Sequence, residues 1–505
     1  MPSNSYDLVV LGDDLAALVC ATLCARRGLR TLVLGDDRPA RYTLGPHKLP
    51  IDPVMWPTLP GSAADRVLKE LHAELALRRK LREPKIAAQI VTPDVRIDLG
   101  ADRLVGELER EVGKDAAAAW VTLWDRGSEL ARSLDPMLGS EHAFPGVGFF
   151  ERREIAKLAE RACADANAWW TDTQTTSAAT FAIWRHLAAI ALRHPNAGAL
   201  AIARAVDAWR TGPSSLRGDG DGLRDLLVEK LTTAGGEVRA GKVAEMDVSW
   251  GKISSLTLAN GDELGAGQVV ASRPPAELAE LLGKKAPKRL AELAAGMTIV
   301  GYRYTLNIVI DEAGLPEHMA PTVAVIAAPE KDPSGDAAFS IHLGEADDTG
   351  RVIATIAAVL QSDGPLDADR TISTCMALRA GLWKRLGEVM PFFERHLVLA
   401  HSPFEATPPQ VPGGRGSYDV PRNLPLAMTP VWAATAPANA VDQATGGTLT
   451  YMTGLKNLTL TGEQVLPSLG LEGALASGWS AAKVACAVAG KKKDYLRDEV
   501  VGAAS

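Results

Sequence analysis

The amino end of the chain combines an apolar run, a glycine turn, an Ala- and Leu-rich segment and a second apolar run. The apolar runs are residues 8–11 and "GLRTLVLG" at 28–35, and "LAALVCATLCAR" at 15–26 lies between them. Parallel strands need a long crossover connection, which is usually a helix. The pattern therefore predicts a β-α-β unit that opens a doubly wound, mostly parallel sheet.

The turn after the first strand departs from the dinucleotide-binding fingerprint G-x-G-x-x-G. Its three glycine places hold Gly12, Asp14 and Ala17, and Leu15 and Ala16 lie between the last two. The second glycine lets the backbone approach a diphosphate, whereas the third serves helix packing, where Ala is tolerated. A carboxylate about 4 Å from a phosphate charge costs roughly 4 kcal/mol at an effective dielectric near 20. That cost corresponds to an affinity about a thousandfold lower.

Two further features of this segment concern the same ligand. Asp is among the best N-cap residues, so we expect Asp14 or Asp13 to accept hydrogen bonds from the N–H groups that begin the helix. At the end of the second strand, the acid that would bind a ribose is replaced by Gly35, and Asp36 and Asp37 follow one and two places late. The segment therefore carries its own anion where a diphosphate would bind.

Length and charge limit the class of protein. A chain of 505 residues predicts two or more domains. Its formal net charge of −7 argues against a nucleic-acid partner, which needs clustered Lys and Arg. The five cysteines include no C-x-x-C pair, so neither a disulfide framework nor a zinc site is predicted. They are Cys20, Cys24, Cys163, Cys375 and Cys486.

The sequence predicts a cytoplasmic protein. Its first residues, "MPSNSYD", lack the basic and apolar segments of a secretory signal. The longest apolar stretch, residues 177–194, contains Arg185 and His186 and predicts a buried or membrane-touching helix rather than a spanning one. Peripheral contact with a membrane is therefore one expectation. Residues 491–505 are predicted to form a solvated tail.

The remaining pattern predicts a second domain of α+β type. Residues 62–212 show apolar residues at helical spacing, and residues 222–272 return to a helix, a strand and an antiparallel meander. Four more strand patterns and a helix over 367–390 follow. We predict an α/β fold: a Rossmann-like domain with a mostly parallel sheet and a β-meander, and an α+β substrate domain. The first domain comprises 1–61, 216–290 and 431–490, and the second comprises 62–215 and 291–430.

Three segments in this order resemble the flavin-dependent oxidoreductases of the phytoene desaturase and amine oxidase superfamily. They are the opening unit with "YTLGPHKLP" at 42–50, the Gly-rich entry, helix and meander at 216–272, and "LTLTGEQVLPSLGLEGALASGWSAA" at 458–482. The resemblance spans almost the whole chain. It implies FAD as cofactor and an apolar small molecule as substrate.

The resemblance implies that the third segment contacts the flavin. Glu463, after Gly462, would accept hydrogen bonds from ribityl hydroxyls. Gly470, Gly473 and Ala474 would let backbone approach the flavin ring at the beginning of a helix. The alternative is a tightly packed Gly- and Ala-rich helix with a surface Glu.

Other positions are assigned by the same resemblance. The backbone of Val243 would meet the adenine, and Arg38 and Arg41 would contact phosphate in place of the missing Gly-Gly-Arg of the family. His47 would lie near the flavin, although a core role is the more ordinary one for such a residue. No catalytic side chain and no metal site is assigned.

The sequence leaves two functions open. The first is a flavin-dependent oxidoreductase that acts on an apolar small molecule through a modified FAD loop. The second is a non-catalytic scaffold or binding protein of the same fold that has lost FAD, because Asp14 and Gly35 replace ADP-binding residues. The guanine-nucleotide dissociation inhibitors of small GTPases are a precedent for such a loss in this superfamily. The substrate, the electron acceptor and the oligomeric state are not predicted.

Overall fold

The structure is a computed structural model. It describes residues 5–490 apart from 36–38, 54, 56–60, 83, 101, 216–221, 413–417, 436–438, 446 and 448. The predicted tail at 491–505 and the position of Arg38 thus lie outside the described residues.

Seventeen strands run through the described residues. They are β1 Ser5–Leu11, β2 Thr31–Gly35, β3 Arg41–Leu44, β4 His47–Pro50, β5 Ala88–Val91, β6 Arg96–Leu99, β7 Glu237–Ala240, β8 Val243–Ser249, β9 Lys252–Leu258, β10 Glu263–Ala271, β11 Met297–Asp311, β12 Thr322–Ile326, β13 Ala338–Leu343, β14 Arg351–Gln361, β15 Leu397–His401, β16 Thr429–Ala434 and β17 Leu458–Leu460.

Fifteen α-helices alternate with these strands in the same part of the chain. They are α1 Leu15–Arg26, α2 Ala63–Glu70, α3 Glu74–Arg78, α4 Leu104–Val112, α5 Lys114–Ala131, α6 Asp135–Leu138, α7 Phe149–Thr176, α8 Ala178–Leu192, α9 Ala199–Thr211, α10 Gly222–Thr233, α11 Pro275–Leu282, α12 Lys288–Ala295, α13 Ala368–Val389, α14 Ala440–Thr445 and α15 Gly470–Val488.

The first sheet has the predicted parallel order at the amino end. Its strand order is β7-β2-β1-β10-β9-β8, and β17 also pairs with β10. The pairs of β1 with β2 and β10, of β2 with β7 and of β10 with β17 are parallel. The pairs β8–β9 and β9–β10 are antiparallel and form the predicted meander. The Rossmann-like fold class is confirmed.

Helix α1 packs closely against the last helix, α15. Gly478 makes this possible, because a Cβ atom there would collide with the backbone carbonyl of Ala16. Every residue of α1 from Ala16 to Ala25 is buried. The two ends of the chain therefore complete one layer of the first domain.

The second sheet is mostly antiparallel. Its order is β15-β11-β14-β13-β12-β5-β6, and β16 pairs with β11. The predicted strand patterns of the second domain form β11 to β14, and the predicted helix becomes α13. The predicted boundary between 430 and 431 falls inside β16, which belongs to this sheet.

The helical pattern predicted over 62–212 is interrupted near its beginning. Helices α2 and α3 are separate, because His72 between them has a φ of 50°. Helix α8, the apolar stretch at 177–194, is buried: its contacts include α7, α9 and the strands β12 and β13. Within the described residues, helices long and apolar enough to cross a bilayer are absent.

Candidate functional site

Asp14 occupies the place of the second fingerprint glycine and caps helix α1. Gly12, with a φ of 102°, makes the turn that follows β1. The Asp14 backbone is extended, and its Oδ1 accepts a hydrogen bond from the N–H of Ala17 at 2.9 Å. The Ser272 hydroxyl, at the end of β10, donates to Oδ2. The predicted N-cap is therefore present, and both oxygens of the carboxylate have donors.

Asp14 is exposed to solvent in the cleft at the carboxyl ends of β1, β2 and β10. Desolvation by the surrounding protein raises the pKa of Asp14 to about 6, and the negative charges of Glu463 and Asp13 also raise it. The hydrogen bonds from Ser272 and Ala17 oppose this rise. At neutral pH the carboxylate is ionised, so a negative charge stands at the beginning of α1.

The Asp13 side chain occupies the space that a side chain at position 35 would need. A Cβ atom at Gly35 would lie 2.8 Å from Oδ2 of Asp13. That carboxylate forms an ion pair with Arg224 of α10, whose Nε also donates to the Asp13 carbonyl at 3.3 Å. The space beside the end of β2, where the family has an acid for the ribose, is filled by this pair.

Glu463 belongs to a chain of four alternating charges. Arg303 of β11 donates to both of its oxygens, at 3.0 Å from Nη1 to Oε1. Arg303 also lies 3.4 Å from Asp52, which pairs with Arg193 at the end of α8. Both oxygens that would accept ribityl hydroxyls thus already have a guanidinium donor. The neighbouring Gly462, with a φ of 105°, lets the chain pass beside the Ser272 hydroxyl.

The glycines at the beginning of α15 make contacts within the protein. A Cβ atom at Gly470 would lie 3.2 Å from Cα of Leu192, and one at Gly473 would lie 2.6 Å from the Leu466 carbonyl oxygen. Ala474 is buried. These residues therefore pack closely within the protein, and Glu463 is bound to Arg303, while their assignment to a flavin stays a prediction.

Glu472, in the first turn of α15, is part of a buried ion network. Arg204 of α9 donates to it from Nε at 2.8 Å and from Nη2 at 2.7 Å, and also lies 2.6 Å from Asp135. The Ala63 N–H donates to the same carboxylate at 3.1 Å. Sequence reasoning did not single out this network.

The structure gathers some predicted site residues and separates others. Gly12, Asp14 and Gly462 lie around Ser272. Leu15 is half-buried at the beginning of α1. The other predicted positions lie in packed elements: Ala16 against α15, Val243 at the first residue of β8, and Arg41 in the β3–β4 hairpin, where it donates to the Lys48 carbonyl at 3.5 Å.

The residues that complete the cleft carried weak signals in the sequence. Arg303 was detectable as a single charge within the apolar strand pattern "GYRYTLNIVI". Ser272 is the last residue of the strand pattern "QVVAS" at 268–272, and the carboxyl end of a strand is the usual place for ligand contacts in a parallel sheet. Arg224 lies 211 residues from Asp13 in the chain, and no local pattern indicated their pairing.

A cavity of about 810 Å³ lies outside the cleft, among α7, α8, α9, β11 and β16. Its size lies within the usual range for small-molecule sites. Its wall combines apolar residues with polar ones. The apolar residues include Trp170, Ala188, Leu200, Ile202, Val300 and Ala433, and the polar ones include Asn167, Arg185, Asp332 and Gln443. Its neutral His194 donates from Nε2 to the Trp432 carbonyl at 3.1 Å and accepts at Nδ1 from the Asn196 N–H, and burial lowers the pKa of that imidazole to about 4.

The fold is similar to that of solved structures that include oxidoreductases. The chain is similar to an oxidoreductase from Methanosarcina mazei, with 12% identity, 94% of this chain and 99% of that chain covered, and a TM-score of 0.56. It is similar to putrescine oxidase bound to putrescine, with 15% identity, coverage of 96% and 99%, and a TM-score of 0.57. It is also similar to cyclohexylamine oxidase from Brevibacterium oxydans IH-35A, with 13% identity, coverage of 97% and 99%, and a TM-score of 0.55.

At these identities the likeness establishes the fold alone. No protein-family model and no curated protein sequence matches the chain. The activity therefore has to be argued from the site.

FAD is the cofactor that this fold implies, and the described residues do not fit its ADP portion. A diphosphate binds at free N–H groups of a helix N-terminus, which also favours negative charge. In α1 the N–H of Ala17 already binds the ionised Asp14, and the pair of Asp13 with Arg224 fills the space beside Gly35.

Proposed function

We propose that the protein is a non-catalytic binding protein that uses the flavin-oxidoreductase fold without FAD and holds an apolar small molecule. The observation that carries this proposal is the hydrogen bond from the Ala17 N–H to the Asp14 carboxylate. The carboxylate accepts an N–H that a bound phosphate would otherwise accept, and it supplies the negative charge that the phosphate would bring.

The energy of this arrangement supports the proposal. An ionised Asp14 about 4 Å from a phosphate would oppose binding by roughly 4 kcal/mol at an effective dielectric near 20. Glu463 contributes a further negative charge nearby. An FAD that bound in the ordinary position would also have to displace Asp13 from Arg224.

The cavity of about 810 Å³ supports the choice of ligand. Apolar wall area stabilises an apolar ligand in proportion to the area removed from water. Two charged residues that line the cavity, Arg185 and Asp332, form an ion pair with each other at 3.4 Å. Neither of them therefore needs a charged group from a ligand.

The test is whether purified protein carries or accepts flavin. We expect no visible flavin absorption, no flavin released on heating and no saturable binding of added FAD. Asp14→Gly removes the charge and the cap, and we expect it to gain FAD affinity by a factor of 100 or more, consistent with the charge cost. Asp14→Asn is the matched control, because Asn keeps the cap and removes only the charge. A yellow parent protein would overturn the proposal.

A flavin-dependent oxidoreductase is the second candidate. The likeness to oxidoreductases over 94–97% of the chain favours it. In that case the flavin would supply hydride acceptance, and this chain would bind the substrate in the apolar cavity and exclude water from it. Flavin that copurifies in stoichiometric amount would favour this candidate.

A further inference from the structure

A second, much smaller cavity lies next to the apolar one. It has a volume of about 20 Å³, which is enough for one water-sized group. Ala189 of α8 and Pro333 belong to the walls of both cavities. The small cavity is therefore adjacent to the large one.

Arg193 supplies a donor at the small cavity. This residue ends α8, lines the cavity and has a side chain that is only 15% exposed. Its Nη1 donates to the Pro53 carbonyl at 3.2 Å, and it pairs with Asp52. Its Nη2 is buried and has no hydrogen-bond partner among the described residues. A buried donor without an acceptor is unfavourable, so an acceptor placed here is stabilised.

His342 lines the same cavity from β13. Its Nε2 lies 2.9 Å from the Ser340 hydroxyl, which leaves the other ring nitrogen for a ligand. Burial, together with the charge of Arg193, lowers the pKa of His342 to about 4. The imidazole is therefore neutral at pH 7 and has one N–H to donate.

The charges around the small cavity are already balanced. Asp52 lies between the guanidinium groups of Arg193 and Arg303, and Arg303 also binds Glu463. Two cations and two carboxylates therefore form one neutral chain. A charged ligand group would upset this balance in a buried place, whereas an uncharged oxygen would only add an acceptor.

We propose that the ligand of this protein is an uncharged, largely apolar molecule with a carbonyl oxygen, and that the oxygen binds in the small cavity beside Arg193 and His342. The apolar body lies in the large cavity. This inference rests on the proposed binding function and specifies its ligand. A primary amine is disfavoured, because its ammonium group has no acceptor to offer to the two donors.

The test compares twelve-carbon ligands that differ only at one end. Purified full-length protein is loaded with the dye Nile red, and its fluorescence is followed as 2-dodecanone, dodecane, dodecanoate or dodecylamine is added at neutral pH. We expect 2-dodecanone to displace the dye at a concentration about tenfold lower than each of the other three, as for a gain of about 1.4 kcal/mol.

Arg193→Lys tests the donor itself. Lysine retains the charge next to Asp52 and lacks the second guanidinium nitrogen. We expect the tenfold preference for the ketone to fall to twofold or less, with dodecane unchanged. Arg78→Lys, in an exposed pair with Glu74, is the matched control and should retain the preference. His342→Leu should also weaken it, and thermal melting of each variant checks the fold.

The outcomes separate this inference from the proposed function. If dodecanoate or dodecylamine displaces the dye as well as the ketone, the carbonyl assignment is overturned and the apolar site stands. If Nile red does not bind, or if Ala433→Trp in the wall of the large cavity leaves binding unchanged, the apolar site itself fails. Preference for the ketone in Arg193→Lys equal to that of the parent overturns the role of Arg193.

Discussion

The cleft at the carboxyl ends of β1, β2 and β10 differs from the cavity of about 810 Å³ in how far protein groups occupy it. In the cleft, Asp14, Asp13 and Glu463 each have a donor within the protein. The cavity wall is partly apolar and leaves space. The polar groups in the region where the fold binds a dinucleotide are thus bonded within the protein, whereas the neighbouring cavity has room for a ligand.

Three glycines of the cleft are explained by contacts within the protein. Gly35, Gly470 and Gly473 occupy positions that the superfamily resemblance assigns to a cofactor. In each case a Cβ atom would strike protein atoms at 2.6 to 3.2 Å. Small residues in a cofactor motif can therefore persist because of packing within the chain.

The largest expected effect comes from Glu472, which secures α15 at the cleft. Glu472→Ala leaves Arg204 buried with only Asp135 as an acidic partner, so we expect a loss of about 3–5 kcal/mol in the free energy of unfolding. Urea denaturation measures it.

Glu74→Ala, in an exposed pair with Arg78, is the control and should cost about 0.3–0.5 kcal/mol. Similar losses in the two variants would contradict the claim that the beginning of α15 depends on its own ion network.

Gly35→Ala should have a smaller effect. Its methyl group would meet the Asp13 carboxylate at 2.8 Å, so we expect a loss of about 1–3 kcal/mol from overpacking. In an Asp13→Gly background, Gly35→Ala should lower the free energy of unfolding by less than about 0.5 kcal/mol, because the carboxylate that the methyl group would meet is absent. Additive losses in the double variant would show that Asp13 is not the reason for the glycine.

The smallest effect concerns the pH dependence of stability. Folding raises the pKa of Asp14 from 3.8 to about 6, so its stabilising contribution is greatest in acid and is lost as the pH rises through 6. Asp14→Asn keeps the cap without titrating. Relative to the parent, it should gain stability between pH 4.5 and 7.5, by less than about 1 kcal/mol because solvent screens the charge.

Urea denaturation at the two pH values measures this difference. Asp348→Asn, at an exposed position, serves as the control and should show no such trend. If the advantage of Asp14→Asn instead declined with rising pH, the conclusion that folding disfavours the ionised form of Asp14 would be wrong.

The fold was largely predictable because its signals are local. Apolar runs at period two and turn pairs such as Asn260-Gly261 marked the meander, and "EVRA" marked β7. The division of α2 from α3 was not predictable, because no breaker residue precedes His72 and its positive φ depends on tertiary contacts.

The candidate site was predictable only in part. The cap by Asp14 follows from the residue type and its place before α1, so sequence reasoning found it. The partners of Asp13 and Glu463 come from α10 and β11, at separations of 211 and 160 residues, and no periodicity reports such pairings. The assignment of the predicted positions to a cofactor stays a prediction.

The backbone contact at Gly478 also limits the order in which the chain can fold during synthesis. Helix α1 ends at Arg26, yet part of its surface is covered by α15, residues 470–488. A nascent or truncated chain that lacks α15 leaves an apolar face of α1 exposed and prone to aggregation. The first domain therefore cannot complete its packing during synthesis until residues 470–488 have left the ribosome.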